Sequence, residues 1–267
     1  MPETPINRNP RLTIRAGRGT LSFSMPDEHG NVVYEPYVVK SGISMAANLR
    51  EAFKTSDLLS LAYTHARVLI DSNVLMVPIE LFDEQEIEVL YAHAFPSNTQ
   101  DKIFFNVLPD LNAVAVSSVN KDLKLVVDDH FQDVHLVAAV APVWRRLHQR
   151  SYTGMRQKLY GYFHEQRLEV FSFQQNRFKF CNSFDAQRAQ DALYFLLYTW
   201  KQLRFRTQHD ELHIVGDIPD SEWLTAELKR FVQNAYIINP SADLNRAQVT
   251  GIKGMPYDLQ TLFVKGR

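Results

Sequence analysis

Hydrophobic and polar positions alternate with period two over three successive segments, Leu159–Phe163, Arg167–Phe173 and Arg177–Cys181, each separated by a short polar turn. That pattern predicts an antiparallel meander. From about Asp185 to Phe205 the period becomes helical: Ala189, Leu193, Leu196, Leu197, Trp200 and Leu203 share one face. Tyr194, Phe195 and Tyr198 widen it, which predicts a helix buried on two sides. Glu211–Gly216 then reads as a buried strand.

The same order occurs earlier. Arg11–Ile14 begins a strand, Gly17-Arg18-Gly19 supplies a turn, and Leu21, Phe23 and Met25 alternate with Ser22 and Ser24 as in a half-buried strand. Asp27–Asn31 is a second turn and Val32–Val39 a third strand, with Pro36 marking an edge or an end. Ser44 is placed to cap a helix whose apolar residues are Ala46, Leu49, Ala52 and Phe53, and Ser56 or Asp57 to cap a helical turn over Leu58–Tyr63. Arg67–Ile70 and Val74–Leu81 read as a strand pair or one bent strand.

Between the two series lies a stretch of strand, helix, hairpin, helix, strand and helix. Asp83 caps an acidic helix through Tyr91, Lys102–Leu108 and Ala113–Ser117 form the hairpin, Asn120 caps a helix, Val134–Val140 is a strand, and Pro142–Gln149 is a helix. The expected organisation is a mixed α/β chain with a duplicated half, 9–154 and 155–267, and an inserted α+β subdomain at about 78–150. After Asp217 the pattern gives a helix capped by Asp220 or Ser221, a strand Tyr236–Ile238 and a short closing helix Asp258–Val264.

Composition narrows the function classes. Of 267 residues, 45% are hydrophobic and 22% charged, an ordinary globular composition. Lys and Arg number 29 against 30 Asp and Glu, so no global field collects nucleic acid or an anionic membrane. Cys181 is the one cysteine, which excludes an intrachain disulfide and a cysteine-rich metal site and suits a reducing cytoplasm. Met1–Arg11 is polar and carries three prolines, unlike a secretory signal. Val134–Val143 is too short to span a bilayer. Neither nucleic-acid binding nor membrane insertion is expected.

Two copies of three antiparallel strands followed by helix–strand units resemble the actin-like ATPase fold of the ribonuclease H-like class. The insertion is similar to the extra subdomain of the pilus-assembly and cell-division branch. Val77-Pro78-Ile79-Glu80-Leu81-Phe82 and Leu212-His213-Ile214-Val215-Gly216-Asp217 further resemble an uncharacterised bacterial family, catalogued as a domain of unknown function. The resemblance implies a first turn with an Asp-x-Gly sequence whose carboxylate serves Mg²⁺, a second glycine-containing phosphate turn, and a glycine pair at an adenosine site.

In the first turn, Ile14-Arg15-Ala16-Gly17-Arg18-Gly19-Thr20, the glycines are present and the carboxylate is absent. The preferred reading is a plain hairpin whose glycines supply positive φ. The second turn, Phe163-His164-Glu165-Gln166-Arg167, has no glycine, and Gly216-Asp217 keeps one glycine of a pair. The cleft candidates are therefore Gly17, Arg18, Gly19, Thr20, Gly216 and Asp217, with Asp71 as an extra carboxylate.

The other constellations have plain readings. Asp128-Asp129-His130-Phe131-Gln132-Asp133-Val134-His135 is the densest group of metal-ligand types and reads as a polar connector. Cys181 reads as a core thiol. Arg145, Arg146, His148, Arg150, Arg156 and Lys158 form the most basic window. No nucleophile elbow, zincin or Walker sequence occurs. The expectation is a non-hydrolysing interaction or scaffold protein with a protein partner, no catalytic residue, no metal and no assigned cofactor. The alternative is an ATPase or sugar-kinase-like phosphotransferase with rewritten loops, using ATP with Mg²⁺.

Overall fold

The computed structural model describes residues 11–61, 63–96, 101–152 and 154–264. In chain order it holds β1 (Leu12–Ala16), β2 (Leu21–Pro26), β3 (Val32–Tyr37), α1 (Met45–Thr55), β4 (His65–Ile70), β5 (Val74–Pro78), α2 (Ile87–Ala94), β6 (Lys102–Leu108), β7 (Ala113–Val119), α3 (Lys121–His130), β8 (Asp133–Ala138) and α4 (Ala141–Ser151). The second series is β9 (Lys158–His164), β10 (Arg167–Gln174), β11 (Arg177–Asp185), α5 (Ala189–Gln202), β12 (Glu211–Gly216), α6 (Ser221–Phe231), β13 (Ala235–Ile237), α7 (Pro240–Asp243) and α8 (Tyr257–Phe263). Two compact units result: one runs to Val74 and includes Glu86–Phe105 and Ser117–Ala139, and the other comprises Leu75–Gln85, Asn106–Val116 and the chain from Val140 on.

In the first unit the sheet order is β3-β2-β1-β4-β8. β1 is antiparallel to β2 and parallel to β4, and β4 is parallel to β8. α1 and α3 pack together over a core that includes Leu12, Ile14, Phe23, Leu49, Val68 and Val126. Pro36 lies on the edge strand β3, where its missing donor is harmless. Ser44 caps α1, its Oγ accepting from Ala47 N at 3.2 Å, and Asn120 caps α3 through Leu123 N at 3.2 Å. Ser22 and Ser24 do not face water as the alternation implied, because both faces of β2 are covered and both serines are buried. Ser56 caps a single turn: its Oγ accepts from Leu59 N at 3.2 Å and its carbonyl from Ser60 N at 3.1 Å.

β4 and β5 are neither a pair nor one bent strand. β4 lies in the first sheet, whereas β5 begins a separate three-stranded sheet of order β5-β7-β6. β8 pairs with β4, so the last strand of the stretch read as an insertion at about 78–150 belongs to the first sheet. The acidic helix also starts later than expected. Asp83 Oδ1 accepts from Gln85 N at 2.9 Å within a turn, and α2 begins at Ile87.

The second unit repeats the topology, with order β11-β10-β9-β12-β13, β9 antiparallel to β10 and parallel to β12. The pleat sends Leu159, Gly161 and Phe163 to the side covered by α5 and α6. Gly161 packs closely here: a Cβ there would lie 3.1 Å from Leu196 Cδ2 and 3.2 Å from Ile214 Cγ2, so those side chains would have to shift by a few tenths of an ångström to admit it. On the opposite face Trp144 of α4 meets Phe171 and Phe178 edge-on, and α4 packs against α8. α5 is shorter than expected because Phe184 and Asp185 pair with β10, and Arg204 in a left-handed conformation (φ 56°) follows its end. It is buried on one side only. Tyr194 and Tyr198 stack on each other at the surface, 5.8 Å between centroids.

Candidate functional site

In the first unit, β1 and β2 are joined by a hairpin closed by Gly17 N donating to Thr20 O at 2.8 Å. Arg15 is buried, and its Nη1 donates to Thr20 Oγ1 at 2.8 Å. Arg18, Gly19 and Thr20 are exposed. The expectation that this turn needs its glycines for positive φ fails at Gly19, whose backbone lies outside the left-handed region and whose added Cβ would meet nothing within 4 Å. Asp71 reaches this turn through its main chain, Asp71 N donating to Ala16 O at 3.0 Å.

The second unit contains the equivalent staple. Asp217 N donates to Phe163 O at 2.9 Å, directly after β12, as Asp71 does after β4. Each half thus puts an aspartate at the C-terminal end of its fourth strand in space. Gly216 has φ +100°, and a Cβ there would lie 2.0 Å from Phe163 O. Its glycine is therefore fixed by backbone approach between β9 and β12. Gly216 also lines a pocket of about 400 Å³ with Ile218, Ser221, Ile237, Ile238, Asn239 and Pro240. Asn239 Oδ1 is already engaged, accepting from Ser241 N at 2.9 Å as the cap of α7.

The second turn is a two-residue hairpin with Glu165 (φ 43°) and Gln166 (φ 66°) both left-handed, as a type I′ turn requires. Side chains occupy positions where glycine is the usual choice. Beneath the turn is a buried charged group that the sequence pattern did not reveal. His164 Nε2 lies 3.5 Å from Glu169 Oε1, Arg167 Nη2 lies 3.7 Å from the same oxygen, and Arg167 Nε donates to Ser183 Oγ at 3.0 Å. The ring of Tyr162 stacks on His164 at 4.7 Å, and its hydroxyl donates to Asp258 Oδ2 at 3.2 Å. The available signal was the pairing of two polar alternations, Tyr162-x-His164 against Arg167-x-Glu169, which only the register turns into a cluster.

The remaining constellations are structural. Asp128 pairs with Lys124, Asp133 with Arg11 at 2.6 Å, and His130 stacks on Phe53 at 3.6 Å. No group of three or more metal-ligand side chains occurs among the described residues. Cys181 is half-buried on β11, not the core thiol expected; desolvation pushes its thiol well above its ordinary pKa, the charge of Glu169 adding to it, which disfavours the thiolate a nucleophile needs. The basic window is largely neutralised inside the second unit: Arg146 and Arg150 converge on buried Asp243, at 2.8 Å each, and Arg156 lies 3.7 Å from Glu211.

His213 of β12 is buried between the rings of Tyr160 and Tyr236, with Nε2 at 2.9 Å from Glu211 Oε2. Burial lowers its pKa below 6.5, the hydrogen bond to Glu211 opposing, and Arg150 and Lys158 also weigh against the charged form. The unfolded chain therefore takes up this proton at higher pH than the folded one. The contribution is complete above 6.5 and is lost as pH falls through the lowered folded value. A His213→Phe variant is expected to lose less melting temperature than the parent between neutral pH and about pH 5. An unchanged slope would show that His213 is not the titrating group.

A family model of proteins of unknown function (DUF3822) matches residues 3–235. A search of curated proteins finds no match. Among solved structures, the chain is similar to a Bacteroides thetaiotaomicron protein with an actin-like ATPase fold and unknown function, at 27% identity and a TM-score of 0.86 over 100% of both chains. It is also similar to a chain of the PilM–PilN type IV pilus biogenesis complex, at 11% identity and a TM-score of 0.59, covering 95% of this chain and 97% of that one. The repeated strand order is thus that of an actin-like ATPase fold.

Proposed function

The chain belongs to the DUF3822 family, and on that premise we propose that it is a non-hydrolysing protein of the actin-like ATPase fold that acts as an interaction or scaffold protein in the cytoplasm. One observation carries the reading. In the first turn Arg15 or Ala16 stands where the resemblance implies a carboxylate, and Arg15 is buried with its guanidinium on Thr20. The turn from Ile14 to Thr20 thus offers Mg²⁺ no carboxylate where an active member has one. The glycine-free second turn supports the same reading, since side chains stand where backbone N–H groups would meet phosphate. The likeness to a chain of the PilM–PilN complex supports a protein partner. For location, the support is compositional, together with the finding that no described helix is long and apolar enough to cross a membrane.

The second reading, a nucleotide-binding protein with divergent loops, has one observation in its favour: the pocket of about 400 Å³ beside Gly216. Phosphate release separates the two. No ATP hydrolysis above background is expected from the purified protein with Mg²⁺. A measurable rate that disappears in Thr20→Val or Asp217→Ala would overturn the proposal.

A further inference from the structure

α2 is held to its unit by one side. Ile87 and Tyr91 are buried, and the Tyr91 hydroxyl donates to Asn73 O at 2.8 Å. On the other side Glu86, Val89, Leu90 and His93 fall at i, i+3, i+4 and i+7, one continuous stripe. All four are exposed, Val89 by 72% and Leu90 by 42%. Scattered exposed aliphatics need no explanation, but Val89 and Leu90 stand side by side between Glu86 and His93 on a helix that already has a core-facing side, which makes a second, amphipathic face.

Charge indicates what covers it. Within its own unit, from Glu86 to Asp101, the chain has no Lys or Arg and three acidic residues, Glu86, Glu88 and Asp101, in a protein whose net charge is −1. Glu86 lies in the stripe between Val89 and Leu90, Glu88 lies on the other side of Val89, and among the described residues neither forms an ion pair with a cation. We infer that the outer face of α2 is a docking surface for a basic amphipathic helix of a partner protein, with two aliphatic side chains meeting Val89 and Leu90 and Lys or Arg meeting Glu86 and Glu88. The acidic rim disfavours an anionic membrane as the occupant. This inference rests on the reading of the chain as an interaction protein and names the partner's chemistry.

The test uses the full chain and a fluorescent model peptide, a helical Leu/Lys amphipath, with a Leu/Glu amphipath of the same pattern as control. Binding is followed by anisotropy. The Leu/Lys peptide is expected to bind and the Leu/Glu peptide to fail. Val89→Glu/Leu90→Glu should weaken binding by about tenfold or more. That variant makes the helix more acidic, so attraction by charge alone would strengthen binding and overturn the inference. Circular dichroism and the melting temperature should be unchanged, since both positions are exposed; if they change, the single variants Val89→Gln and Leu90→Gln decide by the same criterion. A dimer of the unliganded protein that is lost in the double variant would assign the face to a second copy and overturn it too. Nucleotide binding, by contrast, would overturn the preceding proposal without weakening the peptide.

Discussion

Gly216→Ala is expected to destabilise the protein by about 4 kcal/mol, a fall of roughly 8–16 °C in melting temperature. Two penalties add. The backbone at φ +100° is one that residues with a Cβ rarely adopt, at about 1–3 kcal/mol. The new methyl would also sit 2.0 Å from the Phe163 carbonyl oxygen, and that atom is backbone, already accepting from Asp217 N. Relief requires β12 to separate from β9 at its end, at about 1–3 kcal/mol more. Two other glycines calibrate the result. Gly30 has φ +82° and open space around its added Cβ, so Gly30→Ala should lose only about 1 kcal/mol. Gly19 has neither constraint, so Gly19→Ala should stay within about 0.5 kcal/mol. Thermal or denaturant melts of the three variants give the order directly. Equal effects at Gly216 and Gly30 would mean that the Phe163 approach is not a constraint.

Asp243→Ala is expected to be nearly as damaging, at about 3–5 kcal/mol. The carboxylate is 2% exposed and accepts from Arg146 Nε and Arg150 Nη1 at 2.8 Å and from the Tyr257 hydroxyl at 3.0 Å. It therefore ties α7 to α4 and α8 in one unit. Removing it leaves two guanidinium groups, 24% and 35% exposed, without their shared anion and orphans a buried hydroxyl. The partial exposure of the arginines favours the lower end of the range, because water can take over some of their hydration. Tyr257→Phe removes only one hydrogen bond and should lose about 1 kcal/mol. Urea unfolding distinguishes the hub from a surface ion pair, for which Asp243→Ala would lose under about 1 kcal/mol.

Much of the fold is legible in the sequence because local chemistry set it. The β9–β11 meander, the caps Ser44 and Asn120, the edge position of Pro36 and the limits of β12 all follow from residues within a few positions of one another. Features set by distant partners were not legible. β8 joins β4 across more than sixty residues of sequence, and nothing in Val134–Val140 names that partner. Arg146 and Asp243 are 97 positions apart, so nothing in the basic window names the anion it meets. Tyr194 and Tyr198 looked buried because aromatic residues were counted toward the core, whereas α5 covers its sheet with its other side. At the candidate site the missing carboxylate and glycines were visible directly. The grip of Arg15 on Thr20, the freedom of Gly19 and the charged group under Glu165-Gln166 needed the pairing register and side-chain geometry.

The proposed function requires an actin-like ATPase fold that has lost its phosphate grip. Melting the wild-type protein with and without millimolar ATP and Mg²⁺ tests it most directly. A native site with a Kd of roughly 0.1 mM would add about 2.3 kcal/mol at about 5 mM nucleotide, a rise of roughly 5–9 °C. No rise is expected. An increase of that size, abolished by Thr20→Val, would contradict it.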